Sequence, residues 1–296
     1  MASKPKPAEK NAVVPIKESA VAVATELPEH MRGMAGAGTE SLTGADIEVS
    51  RIKLLQATSP EVLENDDYRP GHFMHTTTGQ TFGREVEVVL VYADVRAILW
   101  RPMDTGGGIL ARTDDMRRWV PSGASFDVDL GKAAPGVKVK WETKSSVEES
   151  RLLEWGSFNP NDPSSQPAAT RMYNVVAVLP EHLHLGPSVI TLQRTAIKTA
   201  RKLMGKLKMS PAPMFGLVFK MSSVQETNGT GQTFFNYRFE GNGFVTNPEM
   251  FAGFKDVYEQ FRKEGLRIRD VEGLQDDEVG SGTVSDAKTI EGEARY

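Results

Sequence analysis

The 296-residue sequence predicts a mainly β fold, with one helix set between strands and an amphipathic helix near the C-terminal end. Three observations carry that expectation. Short β-branched runs recur between turn residues, and "RTAIKTARKLMGKLK" is a lone basic stretch with helical spacing. An aromatic strand, "GQTFFNYRFEGNGFV" at 231–245, follows a matching run across the turn "TNGTG", which is the pattern of a β-hairpin.

In chain order, residues 1–45 are rich in Ala, Lys, Pro, Glu and Gly and have no sustained apolar period, so they are expected to be disordered. A single domain is expected over 46–269. It opens with "DIEVSRIKLLQ", a strand or short helix, followed by a loop at Pro60 and "ENDD". "GHFMHTTTG", "REVEVVLVYADVRAILWRP" and "PGVKVKWETK" then read as strands, the second too β-branched for a helix. Residues 143–170 are polar and broken by Pro160, Pro163 and Pro167, which marks a loop excursion within the domain. "RMYNVVAVLP" and "SVITLQ" are further strands. In the basic helix, Ile197, Ala200, Met204 and Leu207 make the apolar stripe, and the "SPAP" prolines end it. The last element, "NPEMFAGFKDVYEQFRKEG", has a capping Asn247, Pro248 in the first turn, and Phe251, Phe254, Val257, Tyr258 and Phe261 on one face. It should pack on the sheet. Residues 270–296 form an acidic tail that is expected to be disordered. Strands, a helix, then a hairpin is the element order of an oligonucleotide-binding (OB) barrel, so the predicted architecture is a modified OB-fold barrel.

Composition narrows the chemistry. The absence of cysteine excludes disulfides, thiolate metal sites and Cys nucleophiles. No apolar run is long enough to span a bilayer, and "MASKPKPAEK" leads into no signal-peptide core, so a cytoplasmic protein with no membrane partner is expected. The net charge of −4 hides a strong asymmetry: no acidic residue lies between Pro187 and Gln225, whereas acidic residues dominate after Asp270. A basic body with an acidic tail points to a polyanion partner.

A groove for single-stranded nucleic acid needs cations to track phosphates and exposed rings to stack bases. Arg194, Lys198, Arg201, Lys202, Lys206, Lys208 and Lys220 supply the first. For the second, strand alternation puts Phe235, Tyr237 and Phe239 on one face and Phe234, Asn236, Arg238 and Glu240 on the other. Phe239 is assigned to the core, and Phe234, Tyr237, Arg238 and Trp100 to stacking; Tyr237 is included because its hydroxyl tolerates a half-exposed position. Arg101, beside Trp100, joins them at the rim. The loop "MDTGGGILARTDD" lacks the Lys-Ser/Thr pair of a phosphate loop and reads as a β–β connection. His72, His75, His182 and His184 read as surface or turn histidines, since no carboxylate motif supplies a third ligand; no metal or cofactor is expected. Asp129, with Glu142 and Lys144 in a Glu-x-Lys arrangement, would suit a Mg²⁺-dependent nuclease, which is the enzymatic alternative to a non-catalytic binder.

"RIKLLQATSPEV", the run ending "ILWRP", "VITLQRTAIKTARKL" and "FFNYRFEGNGFV" together resemble a family of bacteriophage single-stranded DNA-binding proteins, over roughly residues 47–262. The resemblance implies a modified OB barrel, sequence-independent binding of replication and recombination intermediates in the host cytoplasm, and an acidic tail that contacts replication or recombination proteins. The tail here departs from that pattern: "GSGTVS" dilutes it, and it ends "EGEARY". A phage structural or assembly protein is the third reading.

Overall fold

The computed structural model describes residues 50–227 and 231–266, together with isolated positions between 30 and 41. Apart from those positions, the expected N-terminal segment and the acidic tail lie outside the described residues. So do residues 228–230, at the tip of the predicted hairpin.

In chain order the elements are β1 (Ile52–Leu54), α1 (Pro60–Glu64), β2 (Phe73–His75), β3 (Glu85–Trp100), β4 (Ile109–Thr113), β5 (Ser125–Asp129), β6 (Lys138–Glu142), α2 (Val147–Ser150), β7 (Ala169–Val178), β8 (Ser188–Gln193), α3 (Ile197–Met209), β9 (Leu217–Thr227), β10 (Thr233–Phe244) and α4 (Pro248–Glu264). The fold is mainly β. An antiparallel sheet runs β10-β9-β3-β7-β8, with β4 pairing the far end of β3, and β1-β2 and β5-β6 form separate two-stranded pairs.

Among the described residues the sheets are not closed, so the mainly β class is established and the expected barrel is not. Between the open edges β8 and β10 lie β1 and α3. Strand β1 meets β8 through one parallel bridge, Arg51 to Val189. It reaches β10 through a side chain: Gln56 Nε2 donates to Phe235 O, and Phe235 N–H donates to Gln56 Oε1. The rest of the gap is filled by α3, which packs against β7, β8 and β10. Edge strands left bare recruit other chains, and here part of the β10 edge is covered.

Three cores follow from strand alternation along the 16-residue β3. Val88 and Leu90 point to the side that holds β1, β2 and α3, where they meet Phe73, Val175, Ile190, Leu203, Phe219, Met221 and Phe239. Val89 and Val91 point the other way, to Val176, Val178, Val189 and Phe254 of α4. Helix α4 therefore packs on the sheet as its apolar face predicts. Its Asn247 cap accepts from Glu249 N at 2.9 Å and Met250 N at 3.3 Å, an arrangement worth about 1 kcal/mol. The distal end of β3 supports a third core, in which Ala97 and Leu99 pack with Trp119, Leu130, Trp141, Leu152 and Ala169. The 143–170 excursion is thus part of a built layer rather than a bare loop.

Gly71 joins the β1-β2 unit to the hairpin. It has φ +82, and a Cβ there would sit 2.7 Å from the Phe235 ring. Its carbonyl accepts from Ser223 Oγ at 2.6 Å.

Candidate nucleic-acid interface

Helix α3 begins where β8 ends. Arg194, at φ +50, turns the chain out of the strand into a short 3-10 turn that runs into the helix. Ala200 and Leu203 are buried, and Ile197, Met204 and Leu207 pack against the same core. That stripe orients the rest. Lys198, Arg201, Lys202, Lys206 and Lys208 are exposed, and among the described residues none has a carboxylate within ion-pair distance.

This charge does not serve the helix. Lys198, Lys202 and Lys206 are spaced i, i+4, where like charges destabilise by a few tenths of a kcal/mol per pair. The first turn has no acidic residue and carries Lys198 at the positive end of the macrodipole, where a cation is unfavourable. Only Lys206 and Lys208, in the last turn, complement the dipole. Helix α4 has the opposite arrangement, with Glu249 in its first turn and Arg262 and Lys263 in its last. The two helices therefore differ at their first turns, acidic in α4 and basic in α3.

The other predicted site residues divide. Lys206 Nζ, besides being exposed, donates to Phe239 O at 3.2 Å and so covers part of the β10 edge. Lys220 pairs with Glu85 at 2.7 Å, which raises its pKa, and Glu240 stands opposite it. It lies apart from the unpaired set. Arg101 and Arg238 are exposed. Phe239 is buried, while Phe235 and Tyr237 pack against the same core. Tyr237 lies between Phe73 and Phe239, at ring separations of 6.0 and 6.4 Å, which leaves it little free face. Phe234 is half-buried outside every core, opposite Glu226. Its predicted neighbour Asn236 is buried, because its amide donates to Thr195 O and Glu226. The turn leading into α3 covers that part of the strand.

Trp100 is 8% exposed and packs with Ile98 and Met172 instead of standing at a groove rim. Both faces of this end of β3 are covered, Ala97 and Leu99 by one core and Ile98 and Trp100 by another, and the Trp100 Nε1 is buried without a partner among the described residues. The glycine loop beside it is the expected β–β connection, joining β3 to β4. On the β5-β6 pair, Asp129 stands opposite Lys138 and Glu142 opposite Ser125, so the two carboxylates lie at opposite ends and do not meet. Lys144 instead pairs with Glu142 and holds that carboxyl below its usual range. Among the described residues no three His, Asp or Glu gather as metal ligands would.

His75 is buried, not at the surface. It is 2% exposed, and burial, with His184 nearby, pushes its pKa down. His182 and His184 lie in a 3-10 turn over Pro180–Leu185, their rings 6.0 Å apart. Two exposed rings stand outside the sequence-derived site, Trp155 and Phe244. A tryptophan in a polar, proline-rich stretch was the available signal for the first.

A family model described as Pam3 phage gp34-like protein matches residues 17–267, which include α3, the hairpin and every strand. The chain belongs to this family. It is therefore a phage protein. No curated protein and no solved structure matches it. Among the described residues no helix of this gp34-like chain is long and apolar enough to cross a membrane.

Proposed function

We propose that this gp34-like protein is a non-catalytic, sequence-independent binder of single-stranded DNA that covers single strands during phage replication or recombination. The observation that carries the reading is the exposed, unpaired cation stripe on α3, which the helix holds against i, i+4 repulsion and, at Lys198 in its first turn, against its dipole. Such a stripe lowers in energy when it meets a polyanion and releases condensed counterions. Arg194, Lys198, Arg201, Lys202 and Lys208 attract phosphates, with Lys206 contributing where its ammonium extends beyond the β10 edge. Phe234 and Arg238 alternate with the core-packed Phe235, Tyr237 and Phe239 and so lie on the other face of β10, from which a strand passing over its edge would have to be reached. The acidic tail competes for the stripe or holds a replication partner.

The test is a set of gel shifts with labelled single-stranded DNA, duplex DNA and RNA, across salt and with added Mg²⁺. Retention of single-stranded DNA, weakening steeply with salt and leaving the oligonucleotide intact, supports the reading. Degradation in Mg²⁺ favours the nuclease. No binding at low salt favours an assembly protein.

A further inference from the structure

We infer that Trp155 is a base-stacking platform at which a bound single strand leaves α3; this rests on the reading above. The chain has four tryptophans. Trp100, Trp119 and Trp141 are 8%, 1% and 2% exposed, whereas Trp155 is 65% exposed. The ring belongs to none of the hydrophobic cores.

Its exposure is held in place by the loop around it. Gly156 N donates to Ser165 O at 2.7 Å, Phe158 N to Gln166 O at 3.1 Å, and Ala168 N to Ser157 Oγ at 2.9 Å. Gly156, at φ +83, lies so close to Pro163 that a Cβ would meet its backbone at 3.1 Å. Phe158 turns inward onto Trp141, with the rings 5.6 Å apart. A loop pinned on both sides of an outward tryptophan presents a rigid flat surface, and stacking a base on such a surface orders little that was not already ordered.

The base of the loop lies a short way along β7 from the residue that precedes the turn into the basic helix. Ala169 N donates to Leu152 O at 2.9 Å, which fixes the base of the loop at the start of β7. Three residues along β7, about 10 Å of strand, Met172 stands opposite Gln193, the residue before Arg194. Between the two points, Arg171 and Arg151 line one shallow depression together with Met116 and Leu153. Glu148 and Glu154 line it too, and Glu154 pairs with Arg151 at 3.3 Å. The depression is close to neutral, so the contact at Trp155 is one of stacking and not of phosphate charge.

The experiment follows tryptophan emission of the full chain during titration with oligo(dT), while the anisotropy of a labelled oligo(dT) reports binding independently. Emission of the wild type falls on binding, and W155F removes that change, because the remaining tryptophans are buried. W155A weakens binding about ten-fold with an unchanged salt slope, as expected for one lost stack. W155F retains more affinity than W155A. Circular dichroism of both variants matches the wild type, since the ring supports no core. If labelled DNA binds while emission stays constant and W155A binds like the wild type, the platform is wrong and the reading of α3 stands. If labelled DNA does not bind at all, both are wrong.

Discussion

Gln56 and Phe235, 179 residues apart, exchange two hydrogen bonds of 3.0 and 2.8 Å, with the glutamine amide standing in for a backbone neighbour at the edge of β10. This is the point where the β1-β2 unit meets the hairpin. An amide side chain can take the place of a strand here because it has one donor and one acceptor, as a peptide group does.

Gln56→Ala removes both bonds and leaves a half-buried N–H and C=O without them. The expected loss is about 1–3 kcal/mol, read in urea as a lower midpoint at unchanged slope. Gln56→Glu keeps the acceptor but sets a second carboxylate oxygen against Phe235 O, so near neutral pH it should be no milder than Ala. Wild-type stability of Gln56→Ala would remove this contact from the account of how the sheet edges are joined.

The two faces of β10 should separate in stability. Phe239→Ala deletes a ring packed with Phe219, Met221 and Leu203 and should cost about 3–5 kcal/mol. Phe234→Ala, outside every core, should cost under about 1 kcal/mol. Equal losses in denaturant would mean that Phe234 is core as well.

Removing Lys198 and Lys202 together, as alanines, takes two exposed cations from α3. The log–log salt slope for single-stranded DNA should shrink by about 1.4, at about 0.7 per phosphate contact. Stability should hold or rise slightly, since a repulsive i, i+4 pair is gone. Lys220→Ala, which breaks the pair with Glu85, should leave the slope nearly unchanged. If the Lys220 change alters the slope and the Lys198/Lys202 change does not, the strand and not the helix meets the phosphates.

Acid should loosen the β1-β2 unit through His75. Thr78 N–H donates to its Nδ1 at 3.3 Å, the Thr78 hydroxyl lies 3.0 Å from the same nitrogen, and the buried Nε2 has no partner among the described residues. Burial, and then the His184 charge, lower the pKa below the ordinary 6.5. The folded state therefore binds fewer protons than the unfolded chain between the lowered value and 6.5, and stability is intact above about 6.5 and falls as pH drops below it. His75→Asn keeps an acceptor for Thr78 and cannot titrate. Thermal unfolding from about pH 7 to pH 5 should fall less steeply for this variant than for the wild type. Parallel curves would place the acid sensitivity elsewhere.

The sequence by itself determined the mainly β class, the helix between strands, the α4 cap and apolar face, and the in-phase set Phe235, Tyr237 and Phe239. Each depends on a local period or a local cap, which neighbouring residues encode. The basic stripe of α3 was legible for the same reason, because burying Ala200 and Leu203 leaves Lys198, Arg201 and Lys202 outside. Tertiary structure decided the rest. How the edge of β10 is joined to the β1-β2 unit depends on Gln56 meeting a strand 179 residues away. Whether Asp129 and Glu142 share a site depends on hairpin register, and whether Trp100 or Trp155 faces solvent depends on which layers cover them. Lys220 and Lys198 look alike in sequence, and only the position of Glu85 on the neighbouring strand distinguishes a neutralised cation from an unpaired one. Charge and exposure at such positions are pairwise properties set by distant partners, and a linear pattern does not carry them.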